Sequence, residues 1–182
     1  MKTYIYDADN RLVYVETSND GIIWDNDAYY KYYEHGPLAR VELGQQRVQG
    51  LDYAYTLQGW LKGVNANELD PAKDMGADGG SGINYKVAKD VFAFDLGYFS
   101  GDYVSIGGTG LTEDLNDVTS ITAPYNSNNS LYNGNIKCMT TALADQTNTP
   151  LNLNLNLYNY DQLNRIRESH SYIGDNMLLN TF

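Results

Sequence analysis

Cysteine is nearly missing from this chain: Cys138 stands alone among 182 residues, so no disulfide can close within the chain. With only His35 and His170 beside it, a thiolate–imidazole zinc site is also excluded. Basic residues are scarce. Twelve Lys and Arg face 23 Asp and Glu, for a net charge of −11, and a surface that tracks phosphates needs a basic stripe. Nucleic acid is therefore not an expected partner. No apolar run approaches the roughly 20 residues of a membrane-spanning helix, so no membrane span is expected. The opening Met1-Lys2-Thr3-Tyr4-Ile5-Tyr6-Asp7 lacks an apolar signal region, and no signal peptide is expected in this chain. Phe and Trp are few, at 4 and 2.

What replaces them is tyrosine. The chain has 17 Tyr, 20 Asn and 17 Gly, with 42% hydrophobic residues to supply a core. Tyr favours strands, while Asn and Gly favour tight turns. The expected class is mainly all-β, with many short strands, long loops and at most short helical turns.

The tyrosines are ordered in pairs. Tyr4-Ile5-Tyr6-Asp7-Ala8-Asp9-Asn10-Arg11-Leu12 and Tyr158-Asn159-Tyr160-Asp161-Gln162-Leu163-Asn164-Arg165-Ile166 share one pattern, Y-x-Y-D-x-x-N-R-[LI]. Two looser copies lie between them. Tyr30-Lys31-Tyr32 leads to Gly36 and Leu38, and Tyr53-Ala54-Tyr55 leads to Gly59 and Leu61. All four copies place Asn or Gly at the seventh position and Leu or Ile at the ninth. Agreement at both sites in every copy is what a repeat produces and composition alone does not.

The unit reads as a β-hairpin. Alternation puts its two tyrosines on one strand face. Asp7 and Asp161 can open the turn by accepting backbone N–H bonds. The seventh position needs a residue that tolerates left-handed φ, as a three-residue hairpin loop demands. Arg11 and Arg165 are expected to bridge neighbouring hairpins or carboxylates. Repeat units are placed near 4–16, 30–43, 53–64 and 158–170, in a single segment 1–182 with a loop-rich insertion at 65–150.

Elsewhere the pattern is coarser. A short strand is expected at Ile22-Ile23-Trp24, between turns at Asn19-Asp20-Gly21 and Asp25-Asn26-Asp27. Residues 45–49 should begin the strand after Arg40-Val41-Glu42-Leu43. Phe92, Phe94, Leu96 and Tyr98 alternate as a strand, residues 85–91 suit a helical turn, and 112–118 suit another. Leu151-Asn152-Leu153-Asn154-Leu155-Asn156-Leu157 has strict period-two alternation and reads as the clearest strand. Tyr158 and Tyr160 continue it on the Asn face if no bulge intervenes. Asp74-Met75-Gly76-Ala77-Asp78-Gly79 begins like a calcium loop but fails the EF-hand pattern, with Gly76 third and Tyr85 twelfth. Neither a metal nor any other cofactor is expected.

The repeat resembles the YD repeat, and the chain resembles part of an Rhs/YD-repeat protein of the Bacteroidetes type. Further stretches carry the likeness: 35–43, 49–65, 74–79, Leu96-Gly97-Tyr98 with Gly101-Asp102-Tyr103, and 131–136. The resemblance implies a curved strip of antiparallel hairpins belonging to a β-shell. Such a shell encloses or displays another polypeptide, such as a toxin, outside the cell or on its surface. It implies scaffolding without catalysis. Its partners would be the rest of the shell, the enclosed polypeptide and, through open sheet edges, further copies. Some members cut themselves at a DPxG-type site; Asp70-Pro71-Ala72-Lys73 lacks that glycine, so self-cleavage is not expected. The length suggests a fragment of such a shell.

Two other classes remain open. A carbohydrate- or protein-binding module would use Trp24 and Trp60 first, unless both serve sheet packing. A glycoside hydrolase would need two carboxylates about 5–9 Å apart, and no motif selects a pair. His35 sits at a turn, His170 in a tail without evident structure, and Cys138 reads as a small buried residue. The sequon Asn128-Asn129-Ser130 matters only in a eukaryotic secretory path.

Overall fold

The computed structural model describes residues 1–66, 69–70, 73–80, 82–105, 130–173 and 178–180. Among the described residues the protein is all-β, with eleven strands and no helix, and every register resolved between strands is antiparallel. Among these residues no helix is long and apolar enough to cross a membrane. The expected turn at 112–118 lies outside the described residues. The chain forms two compact units, Met1–Tyr53 with Gly76–Asp90, and Ala54–Met75 with Val91–Phe182.

The first unit holds β1 (Lys2–Tyr6), β2 (Leu12–Thr17), β3 (Asp25–Tyr32), β4 (Leu38–Leu43) and most of β5 (Gln49–Tyr55). Each strand pairs with the next in sequence. Its core is small: Val15, Ala28 and Val41 are buried, with Leu12, Leu38, Leu43, Leu51, Tyr30 and Tyr53 packed around them. Tyr14 and Tyr29 sit opposite each other on β2 and β3, ring centroids 4.5 Å apart and stacked. Such a cross-strand pair adds about 0.5–1.5 kcal/mol beyond its buried area.

Ile22-Ile23-Trp24 forms no strand. The Asp20 carboxylate accepts the N–H groups of Ile22 and Ile23 at 2.8 and 3.0 Å, and Ser18 Oγ accepts that of Gly21 at 2.8 Å. These side-chain bonds take the donors a strand ladder would need. Ile22 and Ile23 are left exposed, and the residues expected to turn, Asp25-Asn26-Asp27, instead begin β3. Similarly, β5 starts only at Gln49, because 44–47 form a turn with Arg47 at φ 52°.

The second unit holds β6 (Leu61–Val64), β7 (Phe92–Gly97), β8 (Cys138–Leu143), β9 (Asn154–Tyr160), β10 (Ile166–Ile173) and β11 (Leu178–Asn180), again in sequential order. Strands β7 and β8 both lie within 65–150. Residues 83–86 form turns, with Val87 N–H on the Asn84 carbonyl. The core gathers Cys138, Leu155 and Tyr172, with Leu157 against them. On β7 the most buried side chains are not the phenylalanines. Ala93 and Asp95 are buried while Phe92 and Phe94 are half-buried, because Ala93 faces Ala142 and Asp95 faces Thr140 across to the buried side of β8.

The strand expected from Leu151 starts at Asn154. Leu151 is instead drawn into the preceding turn, its N–H on the Leu143 carbonyl at 2.7 Å. The register shift lies on β10, not β9, so Tyr158 and Tyr160 do share the parity of Asn154 and Asn156. His170 is no tail residue either; it pairs with Leu157 within β10.

Candidate functional site

The feature that recurs along the chain is the hairpin itself. In the first copy, Asp7 N–H bonds the Arg11 carbonyl at 2.9 Å and Asn10 N–H bonds the Asp7 carbonyl at 3.0 Å. Asp7 Oδ1 accepts the backbone N–H groups of Asp9 and Arg11, and Oδ2 takes Arg11 Nε at 2.8 Å. The last copy reproduces this bond for bond. Asp161 accepts from Leu163, from Arg165 N–H and from Arg165 Nε at 2.7 Å. Backbone and Arg11 hydrogen bonds hold Asp7 below the usual carboxylate range, and Arg165 does the same for Asp161.

The looser copies keep the backbone and lose the latch. Tyr33 N–H bonds the Pro37 carbonyl at 2.9 Å, and Thr56 N–H bonds that of Trp60 at 2.8 Å. Tyr33 has no carboxylate to offer, while Thr56 Oγ1 accepts the Trp60 N–H at 3.2 Å. At the seventh position all four residues have positive φ: Asn10 61°, Gly36 115°, Gly59 81° and Asn164 60°.

A second regularity was not legible beforehand. In the first, second and fourth copies the third residue pairs with the ninth: Tyr6 with Leu12, Tyr32 with Leu38, Tyr160 with Ile166. The second residue then pairs with the eleventh. One residue, the tenth, is left extra each time, as Val13, Ala39 and Arg167. This is a β-bulge at a constant place in the unit.

A fifth copy carries no tyrosine. Asp145 N–H bonds the Thr149 carbonyl and Asn148 N–H bonds that of Asp145. Asp145 Oδ1 accepts the N–H groups of Thr147 and Thr149 at 2.7 and 3.0 Å, Asn148 has φ 59°, and Ala144 bridges Pro150, third to ninth. Ala142 and Ala144 stand where the tyrosines would be. The signal was present as D-x-x-N at the spacing of Asp7–Asn10 and Asp161–Asn164.

The paired tyrosines have different fates. Tyr4 and Tyr6 are exposed on β1, while the other six are half-buried. Tyr30 and Tyr53 pack on the first core. Tyr32 donates to the Leu12 carbonyl at 2.8 Å and lies under the Arg11 guanidinium, 4.9 Å from the ring centre. Arg11 thus joins its own Asp7 to the next hairpin, whereas exposed Arg165 reaches only Asp161 among the described residues. Tyr160 donates to the Ile136 carbonyl at 2.8 Å. Tyr98, outside the repeat, caps the ninth-position carbonyl of Leu61 at 2.8 Å. Trp60 is half-buried and packs on Tyr98, centroids 5.0 Å apart, with Gly134 beneath its indole. Trp24 is also half-buried, and His35 is exposed beside the Tyr33 ring.

Two buried ionic clusters escaped the sequence reading. In the first unit, Arg40 on β4 meets three carboxylates: Glu42 at 3.0 Å, Asp78 at 2.6 Å, and Asp52 directly across on β5. Glycine makes room for it, since a Cβ at Gly50 or Gly76 would fall on the guanidinium. Asp78 comes from the loop that begins like a calcium site, and there it serves as a partner for Arg40. In the second unit, Lys62 meets Asp95 and Asp102. Lys62 occupies the tenth position of the third copy. Neither cluster could be read from spacing, because each is completed by a loop carboxylate far off in sequence, Asp78 being 38 residues from Arg40 and Asp102 being 40 from Lys62.

Among the described residues no group of three or more His, Cys, Asp or Glu side chains is placed to hold a metal ion. A groove of about 250 Å³ in the second unit is lined by Thr141, Asn152, Asn154 and Asn156 with Leu143, Leu151 and Ile173. It presents amides and a hydroxyl but no carboxylate. No protein-family model matches the chain, and none of the curated proteins does.

Proposed function

We propose that this chain is a scaffold segment of a YD-repeat β-shell of the Rhs type. In this reading it helps enclose or display another polypeptide, outside the cell or on its surface, and performs no catalysis of its own. The observation that carries it is the constancy of the unit. One turn and one left-handed site recur in every copy and one bulge position in three of them, and Tyr32 and Arg11 bind the first copy to the second. A unit repeated in this way extends a wall. A reaction centre would instead need dissimilar groups brought together at one accessible place.

The polar side chains fit the same reading. The latch aspartates close turns, and both ionic clusters lie inside the units. Trp60, one of the two first candidates with Trp24 for stacking on a sugar, is already packed by Tyr98 and Gly134.

The test is electron microscopy of the natural full-length gene product, purified with whatever it carries. A hollow β-walled particle with density inside supports the proposal. A solid particle with no enclosed chain overturns it. The groove lined by Asn152, Asn154 and Asn156 favours carbohydrate binding as a second reading. Glycan-array binding that disappears in Asn154→Ala would support that alternative.

A further inference from the structure

The Lys62 cluster has the parts of a reaction. Lys62 Nζ lies 3.0 Å from Asp102 Oδ1 and 3.3 Å from Asp95 Oδ1. The three side chains are only 5%, 2% and 6% exposed, respectively. A third contact aims the amine, a 3.0 Å hydrogen bond donated to the Leu96 carbonyl. Asp102 is polarised from its other side, where Oδ2 accepts the Tyr98 N–H at 2.8 Å. Asp95 Oδ1 is buried, and Lys62 Nζ is the ion-pair partner it meets among the described residues.

We propose that Lys62 and Asp102 condense to an intramolecular amide, with Asp95 as the proton relay, cross-linking β6 to the loop after β7. This inference does not depend on the scaffold reading.

The step balances without any co-reactant. The Lys62 ammonium gives a proton to the carboxylates, and its freed lone pair attacks Asp102 Cγ. Negative charge develops on Oδ2, where the Tyr98 N–H already points, as an oxyanion donor must. The C–N bond forms, the C–Oδ1 bond breaks, and Oδ1 leaves as water with protons passed through Asp95. An ammonium and a carboxylate become an amide and one water. Asp95 ends as it began. Burial, against the pull of Lys62, pushes its carboxyl up to about 6, so it exchanges protons readily near neutral pH.

Two physical terms favour the condensation here and oppose it in bulk water. Holding amine and carboxyl in contact replaces an encounter, with effective molarities of about 10⁵–10⁸ M for well-aligned groups. The product also removes two buried charges, whose desolvation is the main cost of an interior ion pair.

The experiment is intact-mass spectrometry of the folded, purified 182-residue chain after denaturation. The expected mass is below that of the sequence by one water. Tryptic digestion should join the peptides containing Lys62 and Asp102, with no cleavage after Lys62 and no release by reductant or hydroxylamine. Lys62→Arg, which keeps the charge, should restore the full mass, and so should Asp95→Ala, with β-structure checked by circular dichroism. The wild-type chain at full mass overturns the proposal whatever the variants do. A lost water that persists in Lys62→Arg also overturns it, since that water would come from succinimide formation at Asp78-Gly79 or Asp20-Gly21. A complete cross-link in Asp95→Ala would overturn the relay.

Discussion

Tyr32 donates its hydroxyl to the backbone carbonyl of Leu12, which sits at the ninth position of the preceding hairpin, 2.8 Å away. The contact joins two copies of the repeat. Tyr32→Phe keeps the ring under Arg11 and removes only the donor. It should lower the unfolding free energy by about 1 kcal/mol, measured by urea denaturation. No change would mean that the hydroxyl leaves nothing unsatisfied when lost.

Asn164 holds φ at 60°. A β-branched residue resists that conformation, so Asn164→Val should destabilise the unit by about 1–3 kcal/mol. Asn164→Gly keeps the backbone conformation and loses only the exposed hydrogen bonds that Oδ1 accepts from Asn133 and Asn135, so it should cost less than the Val variant. Equal melting temperatures for the Val and Gly variants would remove the backbone explanation.

Arg40 is the buried cation that meets Glu42, Asp52 and Asp78, while the more exposed Lys31 and Arg47 reach only Glu42 of the three. Arg40→Met leaves three carboxylates in a site built for a guanidinium, at a cost of about 3–5 kcal/mol. Chemical denaturation of the variant tests this. Stability equal to wild type would show that the cluster contributes nothing net.

The same cluster gives a pH dependence. Burial pushes the Glu42 carboxyl up, but the hydrogen bond from Arg40 and the charge of Lys31 outweigh it and leave the group below its usual value. A carboxyl lowered on folding stabilises the protein above its unfolded pKa, and the gain is lost as pH falls through the folded one. Unfolding free energy should therefore drop on acidification below about pH 4.5. Glu42→Gln should flatten that slope, and an identical slope in the variant would assign it to other groups.

Cys138 is 2% exposed, and burial with the nearby Asp95 charge pushes its thiol up to about 11. A thiol that is protonated and covered should not react with iodoacetamide at pH 8 until the unit opens. Labelling should follow the unfolding curve in urea. Rapid labelling of the folded chain would contradict the burial.

The sequence made the hairpin legible because its turn is local. Asp7, Asn10 and Arg11 interact within five residues, and residue types alone report such chemistry. Strand boundaries failed where a side chain intercepted the ladder, as Asp20 does at Ile22 and Ile23. The bulge stayed hidden because the tenth position has no characteristic residue: Val13, Ala39 and Arg167 share nothing but their place. Tyrosine was an incomplete marker, and the copy at Ala142–Pro150 was missed for that reason. The ionic clusters depend on loops returning to strands across some 40 residues, which no local pattern encodes.

The copy built on Ala142 and Ala144 has a consequence for how such a chain changes over time. Its turn closes through Asp145, Thr147 and Asn148 with alanines where other copies place aromatic rings. Turn closure and lateral grip are thus separable, and duplication followed by drift can erode one without the other. Copies joined mainly to their neighbours make stability a sum of adjacent terms. Gaining or losing a whole hairpin at β1 then costs one junction and leaves the others intact.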